Sequence, residues 1–345
     1  MLEDARTIIA RLVEVQPDDV IFTSGATEAN ALAILGHVRA LRAAGKKDIH
    51  VLYLPSAHTS IVENMKALAE EGVAVEPLPI KEYRVDIEML AKMIRSETAF
   101  VSMDAVCGET GVVWNTREVA SALRESRGSG EGRIVLHVDA SQAPLTEKIT
   151  RAHFGADMLT FDASKVGATR GIGVLVAHRT IPITSFYKGG GQERGLRSGS
   201  EAPELASKFA AALRAAALGR EKFRTSAERE RAHLVESIKK TIPDVRINEG
   251  RVRAPHILNL SLPGRDTDYL IALLDEAGFA VSSRSACETD SEESSRAVFA
   301  LTGDKGLARS TLRISWGPGI RSRELTRFAR AFARAVTFID NSSHR

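Results

Sequence analysis

Cysteine is scarce: Cys107 and Cys287 are the only two in 345 residues, far apart and outside any CxxC or Cys/His ligand spacing. A disulfide framework and a zinc site are both disfavoured, and a reducing, cytoplasmic setting is expected. An excess of one charge is missing too, with 47 Lys plus Arg against 44 Asp plus Glu and a net charge of +3. That balance carries no polyelectrolyte signal for nucleic acid or membrane and points to a small-molecule or protein partner. No stretch approaches the roughly 20 apolar residues of a membrane span. The N-terminus carries Glu3 and Asp4 where a signal peptide would place basic charge. Internal repeats and long disordered runs are also lacking.

What is present is apolar material for a core, 43% of the chain, enough for one large core or a large and a smaller one. Helical and strand patterns alternate. Residues 2 to 14 place Ile8, Ile9, Leu12 and Val13 on one helical face, and 19 to 25 form a short apolar run closed by turn residues. Helical periodicity then runs from Thr27 to Gly45, with Ser24 or Thr27 as its cap. Strands are expected at 50–56, 73–80, 99–105, 134–138, 157–161 and 172–177, and helices at 58–72 and 117–128. Repeated β-then-α units predict a parallel sheet covered by helices on both faces. A long helix from about Glu204 to Ile242 precedes shorter strands at 256–262 and 310–317, a helix at 268–278 and a terminal helix from Arg323. The expected organisation is a large domain, 1–220, and a smaller α/β domain, 221–345, that carries Cys287 in a Ser-rich loop.

Several stretches hold chemistry. The turn SGATEAN (24–30) offers a glycine, hydroxyls and amides, suited to a phosphate or simply to capping a helix. His58 follows a strand, where ligands gather in open α/β sheets, although a lone histidine there is more often structural. Asp139 ends the apolar run IVLHVD. An ionised carboxylate buried there needs a cationic or hydrogen-bonding partner, such as a protonated pyridine nitrogen; the alternative is an exposed strand tip or a helix cap. Lys165, near the next strand end, is either a solvated side chain or an amine placed to form a Schiff base. The loop GGGQERGLRSGSE (189–201) presents Arg194 and Arg197 toward an anionic site or is a solvated turn. Cys287 sits among small polar residues, as a reactive thiol or a bystander. Arg313, on the apolar run STLRISWG, needs an anionic partner, a substrate carboxylate or an internal acid.

Taken together, SGATEAN, VDASQA, the SK of DASK, RGIG, GGGQERGLRSGSE, SSRSAC and LRISWG resemble, in order and spacing, the cysteine desulfurases, pyridoxal-phosphate (PLP) enzymes of the class V aminotransferase group. The resemblance implies PLP fold type I, α/β, with a mainly parallel sheet in the large domain and a smaller C-terminal domain. It implies that Lys165 holds PLP as a Schiff base, Asp139 pairs with the pyridinium nitrogen, Gln142 contacts the ring hydroxyl, and His58 stacks on the ring and shuttles protons. Thr27 would bind the phosphate, with Ser200 reaching across from a second subunit of a homodimer; Ser164 is a further candidate for it, and Ala26 counts among the cofactor-binding residues. Arg313 would hold the carboxylate of L-cysteine, and Cys287, on a long mobile loop, would take its sulfur as a persulfide. L-alanine would leave, and the sulfur would pass to an acceptor protein for iron–sulfur assembly or tRNA thiolation. A selenocysteine lyase or another class V PLP enzyme is the alternative within the class; a degenerate, non-catalytic scaffold is the alternative outside it.

The sequence also departs from the family pattern. Cys107 and Gly108 stand where the family usually has an Asn that contacts the ring oxygen. The family's Ser-x-His-Lys is here Asp162-Ala163-Ser164-Lys165, setting an acid beside the phosphate, and a Tyr-Gly-Pro turn is replaced by Gly167-Ala168-Thr169. The N-terminal segment with an Asp-Asn-Ala-Ala-Thr type motif is absent, so a fragment, a shortened member or a weakened enzyme is expected.

Overall fold

The computed structural model describes residues 1–126, 132–167, 169–283 and 294–342, which fall into two compact units. The first comprises Met1–Val106 and Trp114–Arg220, the second Cys107–Val113 and Glu221–Arg345.

The first unit is built on a seven-stranded sheet. Its strands are β1 (Val20–Thr23), β2 (His50–Tyr53), β3 (Ala74–Pro77), β6 (Thr98–Asp104), β7 (Val135–Asp139), β8 (Met158–Asp162) and β9 (Gly173–Ala177); β4 (Ile80–Lys81) and β5 (Arg84–Val85) form a separate small hairpin. The order is β1-β9-β8-β7-β6-β2-β3. The sheet is parallel except at β9, which runs antiparallel to both β8 and β1, a mainly parallel sheet as expected. Every residue of β6, β7 and β9 is buried, as strands covered on both faces must be. Several of the polar residues among them bond sideways to one another. The Ser102 hydroxyl lies 2.9 Å from His137 Nδ1, and His137 Nε2 lies 3.0 Å from the Thr160 hydroxyl, a polar rung across β6, β7 and β8. Burial holds the His137 pKa down at about 4, against the opposing pull of Asp139, so the imidazole in this rung is neutral.

Around the sheet lie α1 (Leu2–Val13), α2 (Ala26–Ala31), α3 (His37–Ala43), α4 (Thr59–Glu70), α5 (Ile87–Met93), α6 (Thr116–Glu125), α7 (Arg151–Phe154) and the start of α8 (Pro203–Thr241). The single helix expected from Thr27 to Gly45 is interrupted by a π-turn at Leu32–Gly36. There Thr184 donates to the Gly36 carbonyl at 2.9 Å, and a β-carbon on Gly36 would come within 2.9 Å of the Thr184 carbonyl. The helix widens where another backbone crosses it closely.

A buried ion pair fixes the glycine-rich loop to this unit. Arg6 donates to both Glu193 carboxylate oxygens, at 2.9 and 2.8 Å, and Glu193 also accepts the Phe22 amide at 2.8 Å. Glu193 and Arg194 adopt left-handed backbone angles, φ 48° and 62°. Arg194 donates to the carbonyls of Asp18 and Ala177 at 3.0 and 3.2 Å, and Arg197 to Glu28 at 3.3 Å. The arginines expected to face an anionic ligand are therefore engaged with the protein's own backbone and carboxylate.

The second unit is a three-stranded antiparallel sheet, β10 (Arg246–Ile247), β11 (Ile257–Ser261) and β12 (Thr311–Ser315), with the rest of α8, α9 (Thr267–Glu276), α10 (Arg296–Thr302), α11 (Lys305–Arg309) and α12 (Ser322–Ser342). Leu258, Leu260, Leu312 and Ile314 of the sheet pack with Leu234, Ile238, Phe328 and Phe332. Arg231 is buried beside them, donating to the Ile257 carbonyl at 2.6 Å and to Glu249 at 2.6 Å. Gly111, at φ 75°, is required where it is, because a β-carbon would stand 2.7 Å from the Ile257 carbonyl. No helix among the described residues is long and apolar enough to cross a membrane.

Two predictions concern stability. Glu193→Ala leaves the Arg6 guanidinium buried without its counter-charge and lowers the unfolding free energy by about 3 kcal/mol in urea denaturation monitored by circular dichroism. His256 is held down at about pKa 4 by burial and by the charge of Arg231. The unfolded chain protonates it near pH 6.5 and the folded chain does not until about pH 4, so its contribution is complete above 6.5 and is lost as the pH falls through that window. The loss amounts to about 3 kcal/mol, and His137 acts in the same direction. His256→Gln flattens the stability-versus-pH curve between 6.5 and 4; an unchanged curve contradicts this assignment.

Candidate active site

β1, β2, β6, β7 and β8 all end on one edge of the large sheet, and β9 begins there. In open α/β sheets this carboxyl edge is where ligands sit. On or just beyond it the structure places Ala26 and Thr27 after β1, His58 after β2, Asp139 and Gln142 at the end of β7, and Ser164 and Lys165 after β8.

Asp139 is 6% exposed. No cation pairs with it among the described residues; instead Oδ1 accepts the Ser141 amide at 2.9 Å and Oδ2 accepts Asn30 Nδ2 at 2.8 Å. The second hydrogen of the same Asn30 amide goes to the Ser60 hydroxyl, also at 2.8 Å. That hydroxyl lies 2.8 Å from His58 Nδ1, which accepts the Ser60 amide at 3.1 Å as the N-cap of α4. Since Nδ1 is an acceptor, the imidazole carries its proton on Nε2 when neutral. One chain of hydrogen bonds, Asp139–Asn30–Ser60–His58, thus joins two of the residues expected from sequence through two that sequence reading missed. Their signal was present: Asn30 closes the SGATEAN turn and Ser60 follows His58 by two positions. Buried atoms nearby remain without a partner, Asn30 Oδ1 and Ser141 Oγ.

The turn after β1 differs from expectation. Gly25, not Ser24 or Thr27, is the N-cap of α2, with no side-chain cap bond. The Ala26 amide is taken by Asp162 Oδ2 at 2.8 Å, and Asp162 Oδ1 accepts both the amide and the hydroxyl of Ser164, at 2.9 and 2.6 Å. Gly173 makes this approach possible: paired with Thr23 on one side and Asp162 on the other, it would carry a β-carbon 2.6 Å from the Gly25 carbonyl carbon. Thr27, Lys165 and Ser200 are exposed and Gln142 is half-buried.

In the second unit, Arg313 lies on β12 and donates to the Gly108 carbonyl at 3.1 Å, with no carboxylate partner among the described residues. Its backbone exchanges two hydrogen bonds with Ser282, at 2.6 and 3.2 Å. On the far side of residues 284–293, the Ser295 hydroxyl donates to Glu109. Cys287 lies outside the described residues. Cys107, the other thiol, is buried.

Comparison with known proteins identifies the family. Residues 1–328 match the family model for aminotransferase class-V. The chain is 33% identical over 338 residues to the mitosomal cysteine desulfurase of Encephalitozoon cuniculi, covering 97% of this chain and 76% of that protein. It is 31% identical over 320 residues to cysteine desulfurase IscS 1 of Archaeoglobus fulgidus, covering 92% and 81%. Among solved structures, a NifS-like protein aligns with a TM-score of 0.88 at 25% identity, covering 98% of this chain and 87% of its own. The chain belongs to the aminotransferase class-V family, among the PLP-dependent cysteine desulfurases of fold type I.

Proposed function

We propose that this cysteine desulfurase converts L-cysteine to L-alanine with the sulfur held as a persulfide on Cys287, in the cytoplasm and as a homodimer, and delivers it to an acceptor protein for iron–sulfur assembly or tRNA thiolation. The observation that carries the reading is the buried Asp139 carboxylate, met by amides but by no cation among the described residues. A protonated pyridine nitrogen is a cation of the right chemistry for it. The unpartnered Asn30 Oδ1 and Ser141 Oγ beside it leave polar capacity for a bound group, so the ring end of the cofactor fits.

PLP, when bound, supplies an electron sink for the carbanion formed at the substrate Cα. The protein's part is to hold, orient and move protons. Asp139 would keep the ring nitrogen protonated, and Asn30 and Ser141 fix that carboxylate from two sides. Gln142 would meet the ring hydroxyl. Lys165 would be the covalent anchor and, once released, a base at the substrate Cα. His58, its ring oriented through Nδ1 by Ser60, would present Nε2 as the second proton-transfer group. Arg313 would bind the substrate carboxylate; among the described residues its guanidinium donates to a neutral carbonyl, which leaves its charge available. Cys287 attacks the substrate sulfur as a thiolate: a new S–S bond forms, the substrate C–S bond breaks, and proton return to carbon completes alanine.

Spectroscopy and product analysis test this directly. The full chain with PLP gains an absorbance band at the visible edge, which Lys165→Ala abolishes together with alanine formation. Cys287→Ser keeps the band and loses sulfur release; undiminished sulfide from that variant rules out the persulfide. His58→Gln lowers kcat by about a hundredfold with the band retained. Asn30→Leu strands Asp139 and Ser60 and lowers stability in urea by about 2 kcal/mol.

A further inference from the structure

Around the turn after β1, the hydrogen-bond donors are already committed to acids of the chain itself. Asp162 alone takes three: the Ala26 amide, the Ser164 amide and the Ser164 hydroxyl. In the same turn the Ser24 amide donates to Glu28 Oε2 at 2.6 Å, and Glu28 Oε1 accepts Arg197 Nε at 3.3 Å. Two carboxylates therefore hold three amides, a hydroxyl and a guanidinium. Such a mixed set of backbone amides, hydroxyl and guanidinium is what a phosphate group takes from a protein. Ala26 and Ser164 are both among the residues expected to bind the cofactor, and both aim their donors at Asp162. A dianion brought to them meets a carboxylate at hydrogen-bonding range, and Arg197, which could offset the charge, is paired with Glu28.

We propose that Asp162 is a built-in anion occupying the place of the cofactor's phosphate, and that it sets the selectivity of the site: this chain holds its cofactor mainly through the ring and the aldehyde and distinguishes PLP little from unphosphorylated pyridoxal. The proposal rests on the assignment of Lys165 and Asp139 to the cofactor. Asp162 touches neither the substrate nor the reacting atoms; it is a specificity residue, acting through the donors it withholds. Removing its charge releases the Ala26 amide and the Ser164 donors to a phosphate.

The test is equilibrium binding, not turnover. The full chain freed of cofactor is titrated separately with PLP and with pyridoxal, following the aldehyde absorbance, and the two dissociation constants are compared. In the unsubstituted chain PLP binds less than about tenfold more tightly than pyridoxal. In Asp162→Ser that preference grows by about tenfold or more, through tighter PLP binding with pyridoxal nearly unchanged, and Asp162→Asn, which keeps the volume without the charge, shifts it the same way. An unsubstituted chain that already favours PLP by about a hundredfold or more overturns the proposal without recourse to any variant. So does an unchanged preference in folded Asp162→Ser and Asp162→Asn. If neither aldehyde binds, or if Lys165→Ala binds both as well as the unsubstituted chain, the cofactor assignment itself fails and the proposal with it.

Discussion

A carboxylate driven into an apolar sheet is the constraint to which much of the site answers. Asp139 ends β7, a strand buried along its whole length, and an ionised acid there has to be met by donors. The protein supplies the Ser141 amide from the turn that follows and the Asn30 amide from α2. Because one amide nitrogen serves both Asp139 and Ser60, the position of the acid and the orientation of the His58 ring are set together. Displacement at one end of that chain is felt at the other, and this links Asp139 on β7, proposed to pair with the ring nitrogen, to His58 after β2, proposed to transfer protons.

The opposite behaviour is seen from the end of the neighbouring strand β8 to the turn after β1, where acids consume donors rather than recruit them. Asp162 and Glu28 satisfy the turn after β1 internally, so that turn is complete without an added anion. Gly173 lets β9 pass close enough for this closure, and the pair Arg6–Glu193 pins the glycine-rich loop to β1 from the other side. Within the second unit Arg313 pairs by backbone with Ser282, and the Ser295 hydroxyl donates to Glu109.

Much of this was legible in the sequence, for identifiable reasons. Strands buried on both faces must be continuous apolar runs, so β6 to β9 could be read within a residue or two, and the candidate residues fell at the ends of those runs. Local pattern was silent where two distant segments meet. The π-turn at Leu32–Gly36 exists because Thr184 lies against it, and β9 is antiparallel although its apolar run looks like its neighbours'. Likewise Arg194 and Arg197 resembled ligands for an anion, and only the fold shows their partners to be carbonyls and Glu28.

By itself the sequence determined the alternation of helices and strands, because this follows from short-range periodicity, and its ordered motifs pointed to the family and to the lysine, aspartate, histidine and cysteine proposed for the site. Only the tertiary structure decided which donor meets which acid. It gave Asn30 to Asp139 and the Ala26 amide to Asp162, across 109 and 136 positions of sequence, and no local rule reaches that far. Hydrogen bonds depend on distance and direction to within fractions of an ångström, and those are fixed only when the strands are in register.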